Sequence, residues 1–420
     1  MHKDIPVADM DMITSNGSLV DITQIHNIKH APVGTATESN IGPSNLDKWL
    51  TARSIPASRQ NLDELLQELR ITNSSALALK SYGVSLSDHY WLKPTNQKLT
   101  WEQVNFYEND FSDDIGEFLI QGMHLSELDL DVRSPDNNAN GVLKKKWVIQ
   151  EDKRILMKGG YEHQYQEPFN EIIASNIMER LNIPHTSYKL GVSDRKPYSF
   201  CDNFTTINIE YVTAHNIMDA GYYIGKLKTL DPMPIQERLP HMLKSCEALG
   251  IENAQHYFNQ MMVIDYLIAN TDRHFTNFGF LRDSNTLEWE GFAPIFDSGT
   301  SLWNRGKEWH EGDRCRTFAR SHSDQIKLIT DLSWYEPISQ AELAETVTET
   351  LSLNKRIGPK RRDAITKAVI WKSGELTQLK KELLNPTVQV KQPKVNTSPT
   401  HEVQDFMDTL DMSYPDDSDF

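Results

Sequence analysis

The sequence predicts an α+β chain in two lobes, one small and β-rich and one mostly helical, preceded by an N-terminal appendage. Three observations predict it. With 420 residues, 38% of them hydrophobic, the chain exceeds one ordinary small domain and has interior for a large core. Between residues 134 and 184 a turn-rich run leads into two short apolar strand patterns and then a helical one. From residue 257 a long apolar helical stripe runs into a polar loop and then a short apolar strand, each carrying carboxylates.

Taken in order, residues 1–45 are rich in turn formers and weakly periodic, and read as a mostly irregular segment. Residues 46–130 form an N-terminal subdomain, in which "NLDELLQELR" places Leu62, Leu65, Leu66 and Leu69 on one helical face with Asn61 as candidate cap. The aromatic-rich "SLSDHYWLKP" and "LTWEQVNFYENDF" read as packing between that subdomain and the main fold. Residues 131–213 are the small lobe: "SPDNNANG" is a flexible loop, and "KKKWVIQ", "EDKR" and "RILMKGG" are a β-hairpin. "EPFNEIIASNIMERLNIP" is a helix, with Ala174, Ile177, Met178 and Leu181 at helical spacing, Pro168 in the first turn and Pro184 past the end.

Residues 214–383 form the helical large lobe. There "HYFNQMMVIDYLIAN" sets Tyr257, Met261, Ile264 and Ile268 on one stripe widened by Met262 and Leu267, so this helix is expected to be largely buried. "WEGFAPIF" is a short apolar strand that runs into "DSGTSLW". From residue 384 Pro, Ser and acidic residues take over, which reads as a mobile acidic tail, with a short interaction helix carrying Phe406, Met407 and Leu410 as the alternative there.

A net charge of −16 disfavours broad contact with nucleic-acid phosphates, which depends on Lys and Arg displacing counterions. Cys201, Cys246 and Cys315 are an odd set without C-x-x-C spacing, which points away from a disulfide framework or zinc site and toward a reducing cytoplasm. No apolar run reaches the roughly eighteen residues that cross a bilayer, and the first residues lack a signal-peptide core, so a soluble, unsecreted protein is expected.

The order of polar residues suits transfer of a γ-phosphoryl group, which asks the protein mainly to cradle phosphates, neutralise them with Mg²⁺ and hold an acceptor hydroxyl in line. Lys158 ends a strand pattern, where a buried ammonium needs a partner; Glu171 in the first turn of the next helix is preferred and Glu167 is the alternative. In "NTDRHFTNFGF", Asp272 can orient or accept the hydroxyl proton and Asn277, five residues on, can offer an amide oxygen to Mg²⁺. Arg273 and His274 lie inside that loop, His274 to lock it by a hydrogen bond. Asp297 ends an apolar strand before Ser298 and Gly299, a turn that presents its carboxylate to a hard cation. The loop from Ser134 to Lys145 would close over the phosphates, with Gly141 giving backbone freedom and Lys144 to Lys146 adding charge.

"YLIANTDRHFTNFGFL" followed by "FAPIFDSGTSLW" resembles the catalytic and metal-binding segments of HipA-like serine/threonine kinases, and "KGGYEHQYQEPFNEIIASNIMERLNIPHTSYKL" is similar to their lysine strand and following helix. The D-R-H-x-x-N element is shared with phosphoinositide 3- and 4-kinases, and the resemblance runs over about residues 130–345. It implies a bilobal protein-kinase-like fold, ATP and Mg²⁺ as cofactors and a protein Ser or Thr as substrate. It also implies Asp272 as base, Asn277 and Asp297 as metal ligands, Lys158 on the ATP phosphates, and the backbone of Glu210 and Val212 facing adenine. Self-phosphorylation at Ser134 and a small antitoxin-like partner belong to the same implication. The loop near Ser134 is poorer in Gly than a typical phosphate loop, and the first 130 residues do not match the toxin's N-terminal subdomain. A small-molecule phosphotransferase and a noncatalytic kinase-like scaffold are the alternatives.

Overall fold

The computed structural model describes residues 1–121, 131–138, 141, 143–220, 233–304 and 313–385. Strands β1 (Ala8–Ile13) and β2 (Ser18–Ile25) form an antiparallel hairpin, so the expected irregular segment over 1–45 is corrected. Ala8, Met10 and Met12 face inward while Asp9 and Asp11 face out, a half-buried strand alternation closed at Asn16-Gly17, where Gly17 has φ 74°. Helices α1 (Pro43–Ala52), α2 (Leu62–Glu68), α3 (Ser74–Lys80), α4 (Trp101–Val104) and α5 (Asp114–Gln121) follow. Leu62 and Leu65 pack on Ile115, Phe118 and Leu119 of α5. Asn61 does not cap α2: it sits at φ 65° and its amide donates to the Leu119 carbonyl at 3.1 Å, tying α2 to α5 instead.

The aromatic segments pack as expected. Trp91 and Trp101 share a cluster with Trp147 and Ile207 of the following lobe, and the Tyr107 hydroxyl lies 3.3 Å from that of Thr205. Burying these rings ties the N-terminal part to the rest of the chain.

A four-stranded sheet of order β3-β4-β6-β5 comprises β3 (Lys145–Gln150), β4 (Lys153–Lys158), β5 (Lys189–Ser193) and β6 (Lys196–Asp202). The β3–β4 turn uses Glu151 and Asp152 at φ 49° and 62°, the double left-handed requirement of a tight hairpin. Helix α6 (Glu167–Arg180) lies between β4 and β5 and sends Phe169, Ile173, Ala174, Ile177 and Met178 into the main core. The loop expected to be flexible from Ser134 is instead packed in over its first residues. Ser134, Asp136 and Asn137 are fully buried, and Asn137 and Asn138 donate to the Val132 and Val84 carbonyls, each at 2.7 Å. Short polar side chains there have replaced solvent with main-chain partners.

The remaining part comprises β7 (Ile209–Thr213), α7 (Ala214–Ala220), α8 (Ile235–Ala248), α9 (Ala254–Leu267), β8 (Gly279–Asp283), β9 (Trp289–Phe292), α10 (His322–Gln325), α11 (Gln340–Ser352) and α12 (Pro359–Leu384), with a sheet of order β7-β8-β9. Helix α9 is buried on every face rather than along one stripe, with Phe258, Met261, Met262, Val263 and Ile264 all at 0% exposure. It is the axis of a core shared with α6, α11 and α12. Gly279 is fixed by a close approach, because a Cβ there would lie 2.2 Å from the Val212 carbonyl oxygen. The apolar run "WEGFAPIF" is split: β9 ends at Phe292, and Ile295 bridges to His185 instead. Pro294 has no N–H to continue a ladder. The acidic tail lies outside the described residues from 386 onward, and no helix among the described residues is long and apolar enough to cross a membrane.

Candidate active site

Lys158 closes β4 opposite Ser199 of β6, with its stem buried and its ammonium contacting both Glu171 Oε1 and Asp297 Oδ1. The other Glu171 oxygen accepts the Ser298 N–H at 2.8 Å, and the Lys158 nitrogen lies 5.6 Å from the centre of the Tyr188 ring. Tyr188 also accepts the Asp297 N–H through its hydroxyl at 3.3 Å. Burial opposes ionisation of Asp297, yet Lys158, Lys145 and Arg273 outweigh it and hold the carboxyl below its ordinary range. Burial would likewise discharge Lys158, and the two carboxylates reverse this, raising its pKa well above the ordinary lysine value. At Glu171 burial outweighs Lys158 and raises the carboxyl's pKa, so the Lys158–Asp297 ion pair is the firmly charged part of a triad that joins strand, helix and loop. Asp297 adopts φ 57°, a left-handed conformation that Asp tolerates better than most residues and that turns its carboxylate back toward β4.

Glu167, the alternative partner, turns elsewhere: its oxygens accept the Tyr161 N–H at 3.2 Å and the Asn304 amide at 2.8 Å. Gly299 allows the Asp297 loop to lie on α6, since a Cβ there would come within 3.3 Å of Glu167 Cβ. The same contact is sealed by Asn170, whose amide donates to the Gly299 and Ser301 carbonyls at 2.8 and 2.7 Å.

The loop after α9 is organised by Arg273, which is completely buried. Its guanidinium forks onto Asp265 of α9 at 3.0 to 3.2 Å, and it also donates to the Asn277 carbonyl at 2.9 Å, the Ser298 hydroxyl at 3.1 Å and the Phe296 carbonyl. One side chain thus fixes the Asp272–Asn277 loop and the Asp297 loop against the same helix. Within the loop, the Asn277 amide donates to the Asp272 carbonyl at 3.1 Å, and His274 Nδ1 lies 2.8 Å from the Thr276 hydroxyl. Burial lowers the His274 pKa, which fits a neutral ring used as a loop lock. Asp272 presents a partly exposed carboxylate, 34% accessible, to Arg316 at 3.1 Å.

Several sequence assignments change. Ser134 is buried with its hydroxyl 3.3 Å from Asp136, so it is not displayed on a phosphate-covering loop. Gly141 has φ 104°, the freedom expected of it, and its carbonyl accepts from Arg59 of the N-terminal part. Lys144 pairs with Glu162 and Lys146 with Asp113 and Glu117, so only Lys145 turns toward the Asp297 carboxylate, because strand parity sends neighbours to opposite faces. Burial, then Arg59, pushes the Lys145 amine down to about 7. The adenine-facing backbone assigned to Glu210 and Val212 is also corrected. The Tyr211 N–H points to the Ser87 carbonyl, so by alternation Glu210 and Val212 face β8, paired with Arg282 and Phe280.

Sequence reasoning passed over Asp265, Asn170, Tyr188 and His322. Asp265 carried a legible signal: a lone carboxylate within "MMVIDYLIA" is affordable only with a buried partner. His322 is buried and its Nε2–H donates to the Asn270 carbonyl at 2.7 Å, while the Asn270 side chain accepts the Asp272 N–H at 3.0 Å. Burial, then Lys372, pushes the His322 pKa down from 6.5 to about 3. The unfolded chain therefore binds the extra proton below 6.5, and this contribution to stability, complete above that pH, is lost as pH falls toward 3. We expect stability to fall by up to about 1.4 kcal/mol per pH unit on this account. His322→Gln should remove that slope between pH ~6 and ~4, measured as urea midpoints; an unchanged slope would assign the acid sensitivity to other groups.

The HipA-like C-terminal domain family matches residues 138–356, just over half of the chain. The chain belongs to that family, and the matched span contains Lys158, Glu171, Asp272, Asn277 and Asp297. It is similar to the serine/threonine-protein kinase CtkA of Helicobacter pylori, at 30% identity over 138 residues. That match takes in 32% of this chain and 40% of the relative's length. Among solved structures, a Helicobacter pylori proinflammatory kinase CtkA aligns over 58% of this chain and 95% of its own, with 20% identity and a TM-score of 0.39. The HipA, HipB and operator DNA complex of Shewanella oneidensis MR-1 aligns over 98% of this chain and 95% of its own, with 11% identity and a TM-score of 0.45.

Proposed function

We propose that the chain is an ATP-dependent serine/threonine protein kinase that works with Mg²⁺ in a cytoplasmic setting. The observation that carries this reading is the convergence on one fixed frame of Lys158, Glu171 and Asp297 with the Asp272–Asn277 loop, both loops being held by Arg273. Asp297 offers an anionic hard oxygen, and the Asn277 amide oxygen accepts no hydrogen bond among the described residues, a donor set suited to Mg²⁺. When bound, the cation would neutralise the nucleotide's phosphate charge. Lys158 would shift part of its charge from Asp297 to the phosphates while Glu171 keeps it in place. In the reaction a substrate hydroxyl oxygen bonds to the γ-phosphorus, the bond to the ADP oxygen breaks, and Asp272 takes the hydroxyl proton.

Ser134 would need to leave its buried site to serve as acceptor, so a separate protein substrate is the primary expectation. A small protein partner of the antitoxin kind belongs to the same reading, through membership of the family.

The direct test is transfer of labelled phosphate from ATP to proteins of a cell extract, set against transfer to its small-molecule fraction, by the wild-type chain and by Asp297→Asn. Asn keeps the volume and removes the charged ligand, so Mg²⁺-dependent ATP affinity by calorimetry should fall while the Lys158–Glu171 contact remains. Equal affinity in both forms, with and without Mg²⁺, rejects the metal assignment; labelling confined to small molecules rejects the protein substrate. Lys158→Met is the poorer probe, because it leaves buried Glu171 beside half-buried Asp297 without their cation.

A further inference from the structure

Away from that site, three histidines and a glutamate from distant parts of the sequence meet in the interior. His2 of the first segment, His89 of the loop before Trp91 and Glu210 of β7 are each at 0% exposure. His2 Nε2 lies 3.1 Å and His89 Nδ1 3.5 Å from the same oxygen, Glu210 Oε2, and all three atoms lie within 4.8 Å of one another. We propose that these three atoms form a binding site for a transition-metal dication of the zinc class, clamping the N-terminal segment onto the strand that leads into α7.

The separations fit such an ion. Ligands about 2.0 to 2.1 Å from a tetrahedral zinc stand roughly 3.3 Å apart, between the two distances observed. A separation of 3.5 Å is long for a hydrogen bond. The outer hydrogen bonds also fit. His89 Nε2 lies 2.9 Å from the Thr206 carbonyl, so it carries the proton, which leaves Nδ1 as a bare lone pair when the ring is neutral. That Nδ1 atom is buried with no hydrogen-bond partner and is aimed at the carboxylate. His2 Nε2 is hydrogen-bonded to Glu210 Oε2 at 3.1 Å, and His2 Nδ1 lies 2.8 Å from His30 Nδ1, so on metal binding the ring proton moves to Nδ1, directed to His30, and Nε2 ligates. Metal-bound imidazoles characteristically donate their second N–H in this way.

Arg282 takes the other glutamate oxygen, donating from Nε to Oε1 at 2.7 Å, and leaves Oε2 to the two imidazoles. Its positive charge disfavours a dication and should make the site weaker than a structural site of several thiolates. The competing account is metal-free, with His2 Nε2–H donating to Glu210 Oε2 at 3.1 Å and His89 packed beside it.

The experiment uses the untagged full chain, freed of metal by chelator and titrated with Zn²⁺ by calorimetry without nucleotide, with Co²⁺ absorption reporting ligand geometry. One equivalent should bind, Co²⁺ should give the intense visible bands of a tetrahedral nitrogen and oxygen site, and the ring signals of His2 and His89 should shift in ¹⁵N NMR. His89→Ala should abolish binding, and the milder His30→Gln should weaken it about 10- to 100-fold. Absence of stoichiometric binding by the wild-type chain overturns the proposal. So does binding that leaves the His2 and His89 signals unmoved, a readout independent of whether any variant folds.

Discussion

Asp272→Asn should abolish most phosphate transfer while leaving nucleotide binding nearly intact. The amide preserves size but cannot take a proton, and general-base contributions are typically about 100- to 10,000-fold, roughly 3 to 5 kcal/mol of barrier. Nothing that holds the nucleotide in the proposed reading is disturbed, since Lys158, Glu171 and Asp297 interact with one another and not with the Asp272 carboxylate. The fold should survive as well. Among the described residues the Asp272 carboxylate pairs only with exposed Arg316, and such a surface pair is worth about 0 to 1 kcal/mol. Single-turnover transfer and calorimetric ATP affinity, measured side by side, separate the two effects. Transfer within a few-fold of the parent would falsify the role given to Asp272.

The largest effect on stability is expected from Arg273→Met. The substitution fills the volume but leaves Asp265, at 0% exposure, with the Asn270 amide at 2.9 Å and no counter-charge, and strips the Asn277 and Phe296 carbonyls and the Ser298 hydroxyl of a donor. Breaking one partner of a buried ion pair costs about 3 to 5 kcal/mol, a large share of the roughly 5 to 15 kcal/mol that holds a typical domain together. The double variant Arg273→Met with Asp265→Leu should be substantially more stable than the single one, because it removes the stranded charge rather than adding a second defect. Urea midpoints and slopes provide the measurement. A single variant within about 1 kcal/mol of the parent would show that water reaches Asp265 despite its burial.

Both predictions use residues whose types are plain in the sequence but whose partners are not. The order of Lys158, Glu171, Asp272, Asn277 and Asp297 is a local matter of strand end, helix start and loop, and periodicity placed each on its element. The buried α9 and the β3–β4 hairpin were legible for the same reason: runs of apolar residues and turn formers act over a few positions. The β1–β2 hairpin was legible too, in the alternation of Met10 and Met12 with Asp9 and Asp11, but its short, turn-rich surroundings masked the signal.

By itself, then, the sequence determined the α+β order of elements, the helix that leads into the Asp272–Asn277 loop, and the residue types that the proposed phosphoryl transfer would use. The tertiary structure alone decided that Glu171 rather than Glu167 meets Lys158, that Arg273 bonds Asp265 across a turn of chain, and that Ser134 is turned inward. It alone turned the Glu210 backbone toward β8 and its carboxylate toward His2, 208 positions earlier. The physical reason is range. Propensity, capping and periodicity act within a few residues, whereas a buried charge is stabilised by whichever opposite charge or donor the packing brings within hydrogen-bond distance, wherever that group lies along the chain.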